Sequence, residues 1–162
     1  QHENGRLHFM VHDMRETIAG VKFDFVMNLF TSFGYFDTQD DNLKVLHSIH
    51  QMLVPGGKLV IDFFNIDAVV AGMKANELKT IDGIDFHISK HFDGTHIFKK
   101  ISFSDNGQAY SYTERVQGLS PADFGKLLDR TGFRLLEVFG DFNLSPFDPA
   151  VSERFILTAE RI

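Results

Sequence analysis

FDFVMNLFTSFGYF, residues 23–36, starts as a buried strand and ends as a small aromatic loop. From Phe23 to Phe30 nearly every position is apolar, which suits a strand covered on both faces, as in a parallel sheet. Thr31-Ser32-Phe33-Gly34-Tyr35 then presents aromatic rings from a turn, and what is held against that turn is the functional question. Downstream, Thr38 caps a helix with Asp41 three residues on, and Leu43, Leu46, Ile49 and Leu53 recur at spacings of three and four. Pro55-Gly56-Gly57 stops that helix and leads into a second apolar run over 58–64, so the segment reads as a βαβ unit with a right-handed crossover. Upstream, LHFMV at 7–11 has the composition of another strand.

Beyond residue 78 the rhythm changes. Asp82-Gly83, Asp93-Gly94 and Asp105-Asn106-Gly107 fall at hairpin spacing, which predicts an antiparallel meander over about 78–117. Phe86, Ile88 and Phe92 alternate with His87, Ser89 and His91, giving one face that meets water or substrate. Ser120-Pro121 with Asp123 opens another helix whose apolar stripe is Phe124, Leu127 and Leu128; Gly132 ends it, and strands over 133–139 and 154–160 follow. The fold class is therefore α/β with an antiparallel β-meander insertion, in a single domain spanning 1–162.

Composition narrows the partners. The chain has 162 residues, 43% hydrophobic and 23% charged, with no apolar run near the ~18 residues that a membrane span needs. Its net charge of -6 and lack of a basic cluster argue against nucleic acid. The absence of cysteine removes disulfides and thiol chemistry and fits a cytoplasmic protein. No metal site is expected. His87 and His91, four apart on a strand, stand ~13 Å from each other, and the helical pair His47 and His50 lacks a third ligand.

In open α/β sheets, ligands bind outside the carboxyl ends of the strands. Two positions qualify: His12-Asp13-Met14-Arg15 after the first run, and Asn28 to Phe36 after the second. A carboxylate at Asp13 can accept a hydrogen bond from an amino group such as that of adenine, and the aromatic loop can stack on a flat ligand. The same residues also have a purely structural role open to them, with Asp13 capping a turn and the phenylalanines forming core.

The order HDMR, FDFVMNLFTSFGYF, QMLVPGGKLVIDFFN, followed by LSPADFGKLLDRTGFRLLEVFGDF and SERFILTAER, resembles the second half of a class I S-adenosylmethionine-dependent methyltransferase across nearly the whole chain. The resemblance implies a partial Rossmann-like sheet, S-adenosylmethionine as cofactor, and methyl transfer to a small-molecule acceptor. It further implies that Asp13 holds the adenine amino group, that Met14 lies near the ring, and that Asn28, Leu29 and Phe30 line the methionine side. For the acceptor, the candidates are Tyr35, Asn65, Tyr112 and Arg115, of which Arg115 is able to pair with an acidic group. Methyl displacement needs alignment and exclusion of water more than a dedicated base, so no catalytic residue is assigned.

The family's G-x-G-x-G turn and the acidic residue that grips the ribose are absent; no G-x-G occurs anywhere in the chain. With Gln1 as first residue, the expectation is a C-terminal fragment of a longer catalytic domain. Two central strands would then be missing, and the strand beginning at Phe23 would present an unpaired edge that invites a homodimer or a rearrangement. Two alternatives remain: a non-catalytic α/β binding or dimerisation module, and, more weakly, another nucleotide-dependent enzyme such as a reductase.

Overall fold

The structure, a computed structural model, describes residues 7–162. Two four-stranded sheets carry the chain. The first is built from β1 (Phe23–Asn28), β2 (Leu53–Phe64), β8 (Arg154–Arg161) and β7 (Phe133–Phe139), side by side in the order β1-β2-β8-β7. β1 and β2 are parallel and joined by α1 (Gln39–Met52), as a βαβ unit requires, while β8 runs antiparallel between β2 and β7. The second sheet is a meander in chain order, β3 (Asn76–Ile81), β4 (Ile84–Phe92), β5 (His96–Asp105) and β6 (Gln108–Gln117). A short helix, α2 (Ile66–Ala71), leads into it, and α3 (Pro121–Arg130) leads out.

Local chemistry sets these boundaries. The Thr38 hydroxyl accepts the Asp41 N–H at the start of α1, and Ser120 and Asp123 form a reciprocal capping box at the start of α3, with Pro121 in the first turn. The meander turns at Asp82-Gly83 and Asn106-Gly107 have both residues left-handed, the geometry that matches the twist of a two-residue hairpin. Alternation along β4 is as expected, with Phe86, Ile88 and Phe92 half-buried and His87, Ser89 and His91 exposed.

The core lies on one face of the first sheet. Leu59, Ile61 and Phe63 of β2 and Phe155, Leu157 and Ala159 of β8 pack under Leu46 and Ile49 of α1 and Phe124, Leu127 and Leu128 of α3. Phe33 joins them from the loop after β1, 5.6 Å from the Phe124 ring, and Phe63 meets Phe124 edge-on at 5.2 Å.

Four expectations change. The strand over 7–11 does not form: residues 8–13 have no regular structure, and Met10 and Val11 are exposed. Leu7 makes a bridge, and the segment goes no further as a strand. β1 also stops at Asn28 and not at Phe30, because Phe30 and Thr31 turn left-handed. β2 starts at Leu53, ahead of Pro55-Gly56-Gly57, so the expected stop is a wide irregularity within the strand, where Phe23 faces Leu53 and Phe25 already faces Lys58. Finally, β1 is covered on one face only. Val26 packs against the core, whereas Phe25 and Met27 are 63% and 64% exposed, since α1 and α3 lie on the other side. Among the described residues no helix is long and apolar enough to cross a membrane.

Phe33 is 1% exposed and Phe30, three residues earlier, is 76% exposed. Phe33→Ala should therefore cost about 3–5 kcal/mol in urea unfolding, and Phe30→Ala should stay within about 0.5 kcal/mol of the parent.

Candidate functional site

The carboxyl end of β1 gathers three segments. Asn28 is buried there opposite Ile61, and its side-chain N–H donates to the Met14 sulfur at 3.4 Å. Its side-chain oxygen is buried with no donor among the described residues. That is a costly state for an amide, and one that a ligand N–H or O–H would relieve. Asp13 sits in a turn closed by the Glu16 N–H, and Arg15 grips its carboxylate with the backbone N–H at 2.9 Å and the guanidinium at 2.7 Å. These bonds from Arg15 hold the Asp13 carboxyl down to about 2, so it is an anion throughout the neutral range. Arg15 also reaches Asp41 at 3.3 Å and lies 4.5 Å over the ring of Phe36, which ties the turn to the aromatic loop. Asp13 thus serves the turn and still presents a half-exposed carboxylate.

The loop itself is held from beneath. Phe30 and Thr31 have φ of 57° and 60°, a conformation that side chains other than glycine seldom adopt. Asp62, 1% exposed near the carboxyl end of β2, accepts the Phe30 N–H through its carboxylate at 2.8 Å, and its backbone carbonyl accepts the Thr31 N–H at 3.0 Å. Arg154 of β8 donates to the other Asp62 oxygen at 2.8 Å and to the Thr31 hydroxyl at 3.1 Å. Further along, Gln117 clamps the loop to the meander: its backbone N–H reaches the Gly34 carbonyl at 2.9 Å and its amide reaches the Phe36 carbonyl at 2.8 Å. Buried Asn42 of α1 in turn donates to the Gln117 side-chain oxygen at 2.7 Å. Gly34 has φ of +83°, and a Cβ there would already touch Phe63 and Val116 at 3.5 Å. Phe33 is driven into the core, while Phe30 and Tyr35 stay exposed.

Tyr35 forms one wall of a cleft of about 520 Å³ between this loop, α2 and the meander. Phe64, Val69, Ile97 and Val116 make its apolar lining, with Thr31 and Arg154 also reaching it. Two ion pairs cross the meander side, Glu77 with Lys90 at 2.6 Å and Lys99 with Glu114 at 3.1 Å. Partial burial, with the Glu114 charge nearby, pushes the Tyr35 phenol above its ordinary range.

The structure thus brings Met14 and Asn28 together, sets Leu29 and Phe30 at the same strand end, and puts Tyr35 on the cleft. Asn65 is a correction. It is 1% exposed, caps α2 by accepting the Asp67 N–H, and donates to the Pro149 and Ser152 carbonyls at 2.8 Å, which uses its amide entirely within the fold. Tyr112 and Arg115 do not act together, because strand alternation sends them to opposite faces of β6. Tyr112 lies over Phe103, outside the cleft lining, and Arg115 pairs with Asp37 on the far face. Three histidines are engaged in ring packing: His91 flat on Phe98 at 4.6 Å, His50 edge-on to Phe133 at 5.4 Å and His96 tilted against Phe98 at 6.2 Å.

Sequence reasoning missed Asp62, Arg154, Asn42 and Gln117. Asp62 did carry a signal, a charge inside the apolar run LVIDFF, but its partner lies 92 residues away. Removing either member of this pair strands a buried charge, so Asp62→Leu and Arg154→Met should each cost about 3–5 kcal/mol. The double variant should cost clearly less than their sum in a double-mutant cycle read by chemical unfolding.

No family model matches the sequence, and no curated protein matches it. Among solved structures, an S-adenosylmethionine-dependent methyltransferase from Clostridium acetobutylicum superposes with a TM-score of 0.81 at 16% identity, over 94% of this chain and 63% of that one. The CcbJ methyltransferase from Streptomyces caelestis gives 0.80 at 16% identity, over 93% and 62%. The S-adenosylmethionine-bound amino pentose methyltransferase CalS10 from Micromonospora echinaspora gives 0.66 at 18% identity, over 93% and 63%. The chain therefore spans somewhat under two thirds of the length of these structures. At such identities the likeness is one of fold, and the fold of this chain is that of the class I S-adenosylmethionine-dependent methyltransferases.

Proposed function

We propose that this chain is the C-terminal part of the catalytic domain of an S-adenosylmethionine-dependent methyltransferase acting on a small molecule. The observation that carries this is the set of acceptors at the carboxyl end of β1. The Met14 thioether lies against Asn28, whose buried oxygen has no donor among the described residues, the anionic Asp13 directly precedes Met14, and the left-handed Phe30-Thr31 turn follows β1. A carboxylate suits the adenine amino group, apolar and thioether groups suit the ring, and the free amide oxygen suits a hydroxyl or ammonium. These residues fit one side of S-adenosylmethionine; the glycine-rich turn that would fit the methionine tail is absent from the 162 residues.

Bound there, the cofactor supplies an electrophilic methyl group on sulfur. The chain's own contribution is placement. Asp13 and Asn28 fix the ligand by hydrogen bonds, Leu29 and Phe30 wall it, and Tyr35 with the apolar cleft behind it orients an acceptor and excludes water. The lack of cysteine supports a cytoplasmic location. Calorimetric titration of this chain, and of the same coding frame extended upstream, with S-adenosylhomocysteine provides the test. Binding that weakens roughly ten-fold or more in Asp13→Ala and Asn28→Leu is expected, given charge-assisted and buried hydrogen bonds; no binding by either protein overturns the proposal.

One observation favours a second reading, an α/β module that associates with its own copy. Among the described strands β1 lies at the edge of its sheet, and it exposes Phe25 and Met27 side by side on the open face. Light scattering after size exclusion should then report a dimer that Met27→Lys dissociates, and a compact monomer at high micromolar concentration would remove this reading.

A further inference from the structure

The meander side of the cleft has an unusual charge order. Lys90 of β4 stands directly opposite Lys99 of β5, and Lys99 directly opposite Glu114 of β6. Residues directly opposite share a face, so both lysines point into the same cleft, where like charges facing each other across strands are unfavourable. Each ammonium finds its carboxylate outward, Lys90 towards Glu77 and Lys99 towards Glu114. The row across the sheet therefore reads negative, positive, positive, negative, with two adjacent cations at its centre. Both lysines are about one third exposed, and Lys74 lines the same cleft, while the charge of Arg154 is answered by Asp62 behind it. Three lysines thus face two glutamates here, on a protein whose net charge is -6. The remaining walls, Tyr35, Phe64, Val69 and Ile97, are apolar or aromatic.

We infer that the cleft takes a small organic anion with an apolar body, its carboxylate or phosphate seated between the Lys90 and Lys99 ammoniums. This rests on the cleft being the acceptor side of a methyltransferase, and it narrows the acceptor to that chemical class. Two ammoniums at adjacent positions give a monodentate anion a donor on each side, and the partly buried site weakens the screening that would operate in open water. The flanking glutamates repel the anion from the outer positions, which fixes it at the centre.

Nuclear magnetic resonance titration of the ¹⁵N-labelled chain at low salt with benzoate, phenyl phosphate and uncharged benzamide tests this. Both anions should shift the amides of Tyr35, Lys90 and Lys99, and the tighter of the two identifies the anionic group. Lys90→Met and Lys99→Met should each weaken anion binding roughly ten-fold, and Lys99→Arg should retain most of it. Glu114→Gln should tighten binding by removing a competing carboxylate. Lys100→Met, with the same loss of charge on the opposite face of β5, should leave it unchanged. Benzamide binding as well as benzoate, Lys100→Met weakening binding as much as Lys99→Met, or neither anion shifting the cleft amides overturns the inference. The readout needs no cofactor, so loss of anion binding with S-adenosylhomocysteine binding intact sinks this inference alone, and the reverse result sinks the cofactor reading alone.

Discussion

The buried Asp62–Arg154 pair is the constraint on which the candidate site depends. A carboxylate at 1% exposure in the centre of a sheet is costly unless every oxygen is engaged, and here one oxygen takes a guanidinium while the other takes a backbone N–H from outside the strand. That N–H belongs to Phe30, so the charge that has to be satisfied is also what bends the chain leftward at the end of β1. The strain in Phe30 and Thr31 is thus offset by hydrogen bonds that no unstrained path would make. From that bend the rest of the loop follows. Phe33 enters the core, Gly34 passes close against Phe63 and Val116, and Tyr35 emerges on the cleft.

The same bend separates two environments. On one side lie Met14, Asn28 and the Asp13 turn; on the other lies the cleft between α2 and the meander. Gln117 makes the second side rigid by bonding the loop from the last residue of β6, with Asn42 of α1 behind it. Phe30 to Tyr35 runs between the two environments. The loop is fixed from three elements: the Asp62 and Gln117 side chains bond its backbone, and Arg154 bonds the Thr31 hydroxyl.

Much of this was legible in the chain. The caps at Thr38 and Ser120, the βαβ unit, the Asp-Gly and Asn-Gly turns and the alternation along β4 all rest on contacts within a few residues, and local pattern reports such contacts well. Patterns failed where an element's fate depended on a distant neighbour. LHFMV has strand composition, yet beyond the bridge at Leu7 it forms no strand. Asn65 looks like a residue placed to meet a ligand at a strand's carboxyl end, yet the 140–153 loop folds back and consumes its amide. Tyr112 and Arg115 are three apart, and an odd spacing on a strand sends side chains to opposite faces.

By itself the sequence determined the α/β class, the meander, the starts of the two longer helices and the segments that reach the carboxyl end of the sheet, because periodicity, capping and turn chemistry act over a few residues. Only the tertiary structure decided which side chains those segments present. The insertion of β8 between β2 and β7 delivers Arg154 to Asp62, and strand register sets Lys90 beside Lys99 at the cleft. Asp62 and Arg154 are remote in the chain, and strand order and the satisfaction of a buried charge bring them together; Lys90 and Lys99 face each other across one hairpin, and it is the register that sets them side by side.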